Sequence, residues 1–229
     1  MIKSGFRAGS LYTRAGQRKY LTTAERSRFL TAALSSPRAE LRTLCLMLLY
    51  TGCRISEALA ITPKAIERQA GFIAIRSLKK RKRIVVIREV PVPVDLFDAF
   101  AHAHDLEERD QRLWRFTRFR GWQLVKVVMR EAAIAEGPHM TPKGLRHSFG
   151  IHAIRSGVPL NLVQRWLGHA SMATTAIYLD ALGEEEREIA ARMWVAPVSP
   201  IPPSAPQPEA SARKDFVGPC TRTINSSWT

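Results

Sequence analysis

Four short segments carry residue types and spacings that could do chemistry on a phosphate. In TGCRISEAL (51–59) a glycine follows an apolar run, and Arg54 stands three residues before Glu57. That spacing lets a carboxylate orient a guanidinium, although taken alone it also describes an ordinary surface ion pair. In SLKKRKR (77–83) the five basic side chains of Lys79, Lys80, Arg81, Lys82 and Arg83 crowd together and repel one another unless an anion is near. In TPKGLRHSFGIH (141–152), Lys143, Arg146, His147 and His152 fall on or near one helix, which Leu145 and Phe149 anchor through a buried stripe. In LVQRWLGHASMATTAIYLDA (162–181), LGH ends a short helix at His169, and Tyr178 follows nine residues later. Between Ile177 and Leu179, a tyrosine read in isolation is a core residue with a satisfied hydroxyl.

The elements that must position these groups can be read from periodicity. The chain has 229 residues with 35 Lys plus Arg against 20 Asp plus Glu, a net charge of +15 and a pI near 10.6. Such a surplus favours a polyanionic partner, nucleic acid first, because each neutralised phosphate releases counterions. TTAE at 22–25 is a capping-box signal that opens a helix through about residue 34. Helices follow at about 38–50, with Leu41, Leu44, Cys45 and Leu48 in phase, and at 55–61. The period then changes: 72–77 and 83–92 are β-branched runs around the basic turn, a hairpin. Helices resume at about 94–107, 121–135 (Trp122, Val125, Val128 and Ala132 on one face), 141–156, 159–167 and 171–182. A last amphipathic stretch covers 184–194. The expected fold class is mainly α with a small antiparallel β-hairpin or sheet (α+β).

Residues 1–20, basic and without an acid, are expected to be an arm that stays flexible until it meets a partner. The proline-rich residues 196–229 are expected to be disordered. The three cysteines form no CxxC pair and no metal spacing. No apolar run nears the ~20 residues a membrane span needs, and the N-terminus lacks the apolar region of a secretory signal. A cytoplasmic protein, nucleoid-associated when bound to DNA, is the expectation. Clustered acids, which metal-dependent nucleases and transposases use to hold their ions, are not visible, nor is a glycine-rich phosphate loop. Neither metal nor cofactor is expected.

The order of the four segments resembles the tyrosine recombinase (phage integrase) family: arginine box, hairpin lysine, a box similar to HxxRH, LGH, tyrosine. The pattern is most similar to its Xer-type and fimbrial-switch members and covers roughly 20–195, the family's catalytic domain. The resemblance implies a site-specific recombinase or integrase that cuts and rejoins double-stranded DNA. Arg54 and Arg146 would clamp the scissile phosphate, where a planar, permanently charged fork suits paired hydrogen bonds. His169 would donate to the same phosphate, and Tyr178 would be the nucleophile of a 3′-phosphotyrosyl intermediate. Lys79 best matches the lysine that protonates the leaving 5′-oxygen, with Lys80 and Lys82 as alternatives, and Arg81 and Arg83 would join them on DNA. Glu57 would support Arg54, and His147 matches a common structural histidine. The chain departs from the family pattern at Lys143, where a histidine is usual. It also departs in having only about twenty residues before the catalytic domain, where relatives carry a helical domain that completes a clamp. A homo-oligomer on synapsed DNA is implied, with an accessory DNA-binding protein as a further partner. Two other activities fit the same residues: a non-catalytic DNA-binding accessory relative, and a type IB topoisomerase-like DNA-relaxing enzyme.

Overall fold

A computed structural model describes residues 11–78, 85–107 and 110–179. Helix α1 (Thr23–Ser35) starts where the sequence places it. Thr22 Oγ1 accepts from the Glu25 backbone N–H at 3.2 Å, and Glu25 Oε2 accepts from the Thr22 N–H at 2.9 Å. Helix α2 (Ala39–Thr51) is buried on almost every side from Leu44 to Leu49, so it is the central helix rather than a surface one. It stops at Gly52, whose φ of +59° is left-handed and whose absent Cβ would lie 2.5 Å from the Phe149 ring. Helix α3 (Ile55–Ala58) follows at once.

A three-stranded antiparallel sheet comes next, β1 (Ile66–Glu67), β2 (Phe72–Arg76) and β3 (Ile87–Pro91), in the order β1-β2-β3. The register pairs Ile73 with Val90 and Ile75 with Arg88. The strands are shorter than the expected 72–77 and 83–92, though one further bond, Ser77 N–H to Val86 O at 2.8 Å, continues the ladder. The basic turn, with Lys79, Lys80, Arg81, Lys82 and Arg83, lies outside the described residues.

Helix α4 (Val94–Ala103) ends before the expected 107 because His104 turns inward. Its Nε2 meets Thr43 Oγ1 at 2.8 Å, and its ring stands edge-on to Trp114 at 5.5 Å. Helix α5 (Arg118–Glu131) begins earlier than expected, capped by Thr117, and closes at Ala132. On it Val125, Val128 and Ala132 are buried, but Trp122 is 37% exposed. Helix α6 (Pro142–Arg155), capped by Thr141, and helix α7 (Leu160–Leu167) follow. Instead of a helix over 171–182, α8 covers only Ala173–Ala176. Among the described residues no helix is long and apolar enough to cross a membrane.

Residues 11–20 depart from the flexible arm expected of them. Leu11 is 1% exposed, Tyr12 and Arg18 form an isolated β-bridge, and the Lys19 N–H donates to Leu11 O at 2.8 Å. Arg18 grips the Glu25 carboxylate through both terminal nitrogens, at 2.6 and 2.5 Å. Residues 1–10 lie outside the described set, as do the 184–194 stretch and the proline-rich tail.

The buried side chains fall into two clusters. The larger joins α1, α2, the sheet, α4 and α5. The smaller gathers Leu11, Phe149, Ile151, Ala153, Ile154, Val163, Leu167 and Tyr178. Trp166 packs against both.

Candidate active site

The junction of the two clusters brings the sequence-predicted groups together. Arg54 caps α3, and its Nη1 donates to Glu57 Oε1 at 2.8 Å while its backbone N–H donates to Oε2 at 3.0 Å. This is not a surface pair, because Glu57 is 1% exposed. Burial alone would raise the Glu57 pKa. The Arg88 charge, the Arg54 N–H and the Arg88 hydrogen bond together outweigh it, so the carboxyl titrates below its ordinary value.

Arg146 projects from α6 and is also buried. Its Nη1 donates to Gly52 O at 2.9 Å and its Nη2 to Leu167 O at 2.7 Å. Each terminal nitrogen carries a second hydrogen, so both can still serve an anion. Burial, then the neighbouring Arg54, lowers its pKa to about 10, which leaves it cationic at neutral pH. The left-handed Gly168 (φ +65°) ends α7 and turns the chain so that His169 faces the same space. His169 Nδ1 lies 2.9 Å from Thr175 Oγ1. Burial first, then the charges of Arg146 and Arg54, push its pKa down to about 3, so it is neutral.

Tyr178 is 1% exposed. Its ring stacks on His169 (centroids 6.2 Å apart, 20° between planes) and occupies space that a side chain on Gly150 would fill, at 2.5 Å. Its hydroxyl lies 3.4 Å from His147 Nδ1. Burial raises the phenol to about 12, against the opposing pull of Arg146 and Arg54. Burial, then the Lys143 charge, lowers His147 to about 4, so its ring is a neutral acceptor at physiological pH.

Arg54, Lys143, Arg146, His147, His169 and Tyr178 line one cavity of about 770 Å³. A second cavity beside it shares Arg54, His169 and Thr174. Lys143 is exposed on the cavity wall. His152 is exposed elsewhere on α6 and is not part of the lining. Among the described residues no group of three or more His, Cys, Asp or Glu could hold a metal ion. Two guanidiniums, neutral imidazoles and a phenol around one space make a site for nucleophilic attack on a phosphorus held by cations.

Three participants were missed by sequence reasoning. Arg88 binds Glu57 from β3, while Lys19 and Trp122 line the cavity. Strand alternation could have flagged Arg88, since it shares a face with Val90. Nothing local marks Lys19, which depends on the fold of residues 11–20.

Known proteins match this arrangement. Tyrosine recombinase XerA of Pyrococcus furiosus is 28% identical over 180 residues, which cover 74% of this chain and 60% of that protein. The chain thus spans about three-fifths of the length of the archaeal relatives it matches. The crystal structure of XerA recombinase superposes with a TM-score of 0.62 at 26% identity, over 76% of this chain and 64% of that one. The XerH site-specific recombinase, in a pre-cleavage complex with its difH substrate, gives a TM-score of 0.62 at 22% identity, over 80% of this chain and 59% of that one. At that identity XerH shows the fold alone. The architecture is that of a tyrosine recombinase catalytic domain. Residues 19–185, which take in every cavity residue from Lys19 to Tyr178, match the phage integrase family, and the chain belongs to it.

Proposed function

We propose that the chain is a site-specific DNA recombinase that cuts and rejoins double-stranded DNA through a 3′-phosphotyrosyl bond to Tyr178. The observation that carries this reading is the convergence of Arg54, Arg146, His169 and Tyr178 on one cavity from four separate segments. A protein that only binds DNA needs no buried phenol beside two guanidiniums.

In this mechanism Arg54 and Arg146 hold the non-bridging oxygens of the scissile phosphate, and Lys143 adds charge from the wall. The Tyr178 oxygen attacks phosphorus, and the bond from phosphorus to the 5′-oxygen breaks. The phenol proton passes to His147 Nδ1, the acceptor within reach of the hydroxyl among the described residues. When Thr175 donates to His169 Nδ1, the imidazole keeps its proton on Nε2, where it can donate to the phosphate. Lys79, in the hairpin turn, protonates the departing 5′-oxygen, while Lys80, Arg81, Lys82 and Arg83 hold the flanking backbone. Rejoining is the reverse attack by a 5′-hydroxyl. The bond energy stays in the phosphotyrosine, so neither metal nor nucleotide is consumed. On synapsed DNA the chain acts as a homo-oligomer at the nucleoid, together with an accessory DNA-binding protein.

The test starts from a library of nicked random-sequence duplexes incubated with the chain in excess EDTA. We expect SDS-resistant adducts whose phosphotyrosine maps to Tyr178. Tyr178→Phe should lose them by at least about four orders of magnitude while still binding DNA. Adducts at Tyr12, Tyr20 or Tyr50 would reject the assignment, and a strict magnesium requirement would reject the mechanism. DNA binding without any adduct would favour the non-catalytic reading.

A further inference from the structure

Arg88 has an unusual place for a charged residue. It lies on the buried face of β3, opposite Ile75, and its side chain is 2% exposed. The neighbouring pair on that face, Ile73 and Val90, is wholly apolar and buried. A guanidinium there loses its hydration, which is costly unless its partners compensate. Its partners are not those of a strand. Nη2 donates to Glu57 Oε2 at 2.6 Å, and Nε donates to Trp166 O at 2.7 Å. Nη1 is buried with no partner, and the backbone of Gly168 approaches so closely that a Cβ there would be 3.2 Å from it.

These two bonds reach the two halves of the phosphate site. Glu57 is the carboxylate that orients Arg54, so Arg88 and Arg54 hold one anion between them. Trp166 begins the turn that delivers His169, and the next carbonyl, Leu167 O, is held by Arg146. The last carbonyls of α7, which no helical N–H can satisfy, are thus taken by one arginine from the sheet and one from α6. Arg88 does not line the cavity that holds Tyr178, and it reaches the second cavity only alongside Arg54 and His169.

We propose that Arg88 is a positioning residue for strand cleavage, one buried cation that sets the Arg54–Glu57 pair and the His169 turn in register with each other. The proposal rests on the recombinase reading above. A lysine could not do the same, because a single ammonium lacks the planar fork that spans a carboxylate and a carbonyl at fixed angles.

The experiment compares wild type, Arg88→Met and Arg88→Lys in single-turnover cleavage of the duplex recovered by adduct capture. Each is also tested on the same duplex with a methylphosphonate at the scissile position. Removing the charge of one non-bridging oxygen removes much of the need for an aligned cation clamp. Arg88→Met should therefore cleave the phosphodiester about 100-fold more slowly than wild type, yet come within about 5-fold of it on the methylphosphonate. DNA affinity should stay within about 3-fold, and Arg88→Lys should fall between the two. An equal defect on both substrates, a lost affinity, or wild-type cleavage of the phosphodiester by Arg88→Met would overturn the proposal. If Arg88→Met does not fold, Glu57→Gln keeps the shape, breaks the same link and is judged by the same substrate ratio. Failure of wild type to form any adduct is a different result and takes down the recombinase reading itself.

Discussion

The two buried clusters divide the site unequally. The large one holds Arg54 and Glu57 on the short helix after α2, against a core that includes α1, the sheet and α5. The small one holds Tyr178, clustered with Phe149, Leu167 and Leu11 of the N-terminal segment, with the partly buried Tyr20 packed against it. Trp166 packs against both, and the arginines at the joint, Arg88 and Arg146, bind consecutive carbonyls, those of Trp166 and Leu167. The guanidiniums of one half sit on many layers of packing, whereas Tyr178, the proposed nucleophile, sits on few. A small cluster opens at lower free energy than a large one. That suits a tyrosine that is 1% exposed and that, on the proposed mechanism, has to reach a phosphate.

The sharpest way to break this division is to remove its arginines singly. Arg54→Ala and Arg146→Ala should each slow cleavage by about two to four orders of magnitude, since both line the cavity proposed to hold the scissile phosphate. Their stabilities should differ. Loss of Arg54 leaves Glu57 still paired with Arg88, and the fold should lose about 1 kcal/mol or less. Loss of Arg146 strands Gly52 O and Leu167 O, buried acceptors on either side of the joint, at about 3 kcal/mol. Denaturant melts of the two variants decide this, and equal losses would mean that the joint is not where the clusters are tied.

The sequence told much about the large half and less about the small one. The capping box at Thr22, the apolar phase of α2 and the alternation of β2 are local signals, and their elements appear at those places. The site residues Arg54, Glu57, Lys143, Arg146, His147, His169 and Tyr178 also stood out by type and order. What the sequence hid depends on tertiary contacts. Residues 11–20 read as a basic arm because the side chains there that reach a core, Leu11 and Tyr20, stand far apart among polar and basic ones. Arg88 carries no role in the sequence reading, because its partners Glu57 and Trp166 O are brought beside it only by the fold. The run 171–182 looks helical, yet among its described residues the α-helix is only Ala173–Ala176, where Thr175 is held inward by His169.

Acid should separate the halves next. His147 and His169 have folded pKa values of about 4 and about 3, below the ordinary value near 6.5. The unfolded chain therefore binds more protons between these values, and stability that is full above pH 6.5 is lost as pH falls toward them. Glu57 is also depressed, but its contribution is lost only below about pH 4.5. Between pH 6.5 and 4.5 the small cluster should weaken first, with a loss of roughly 3 kcal/mol by pH 4 from the buried His147 alone. His104, His139 and His152 are lowered by burial too, so the readout must be local. Hydrogen exchange at the Tyr178 N–H, bonded to Thr175 O at 3.0 Å, should accelerate before that of Leu48 or Leu49 in α2. Simultaneous acceleration would show that the clusters open as one unit.

The smallest expected effect lies at the edge of the small cluster. Arg18 is about a quarter exposed, and its bidentate pair with the buried Glu25 fastens residues 11–20 to the start of α1. Arg18→Gln leaves Glu25 with its bonds to Thr22 and with His139 3.9 Å away, so its carboxylate is not abandoned. A partly exposed pair of this kind contributes about 1 kcal/mol, and the melting temperature should move by only about 2–4 °C. The local effect should be larger than the global one. The Lys19 N–H bond to Leu11 O and the Thr13 N–H bond to Gln17 O close the loop that Arg18 fastens, and both should lose exchange protection. Because Leu11 packs with Tyr178, loosening this segment should also raise exchange at the Tyr178 N–H, while α2 keeps its protection. If α2 loses protection in the same proportion, the segment is part of the large core and the division into two halves does not hold.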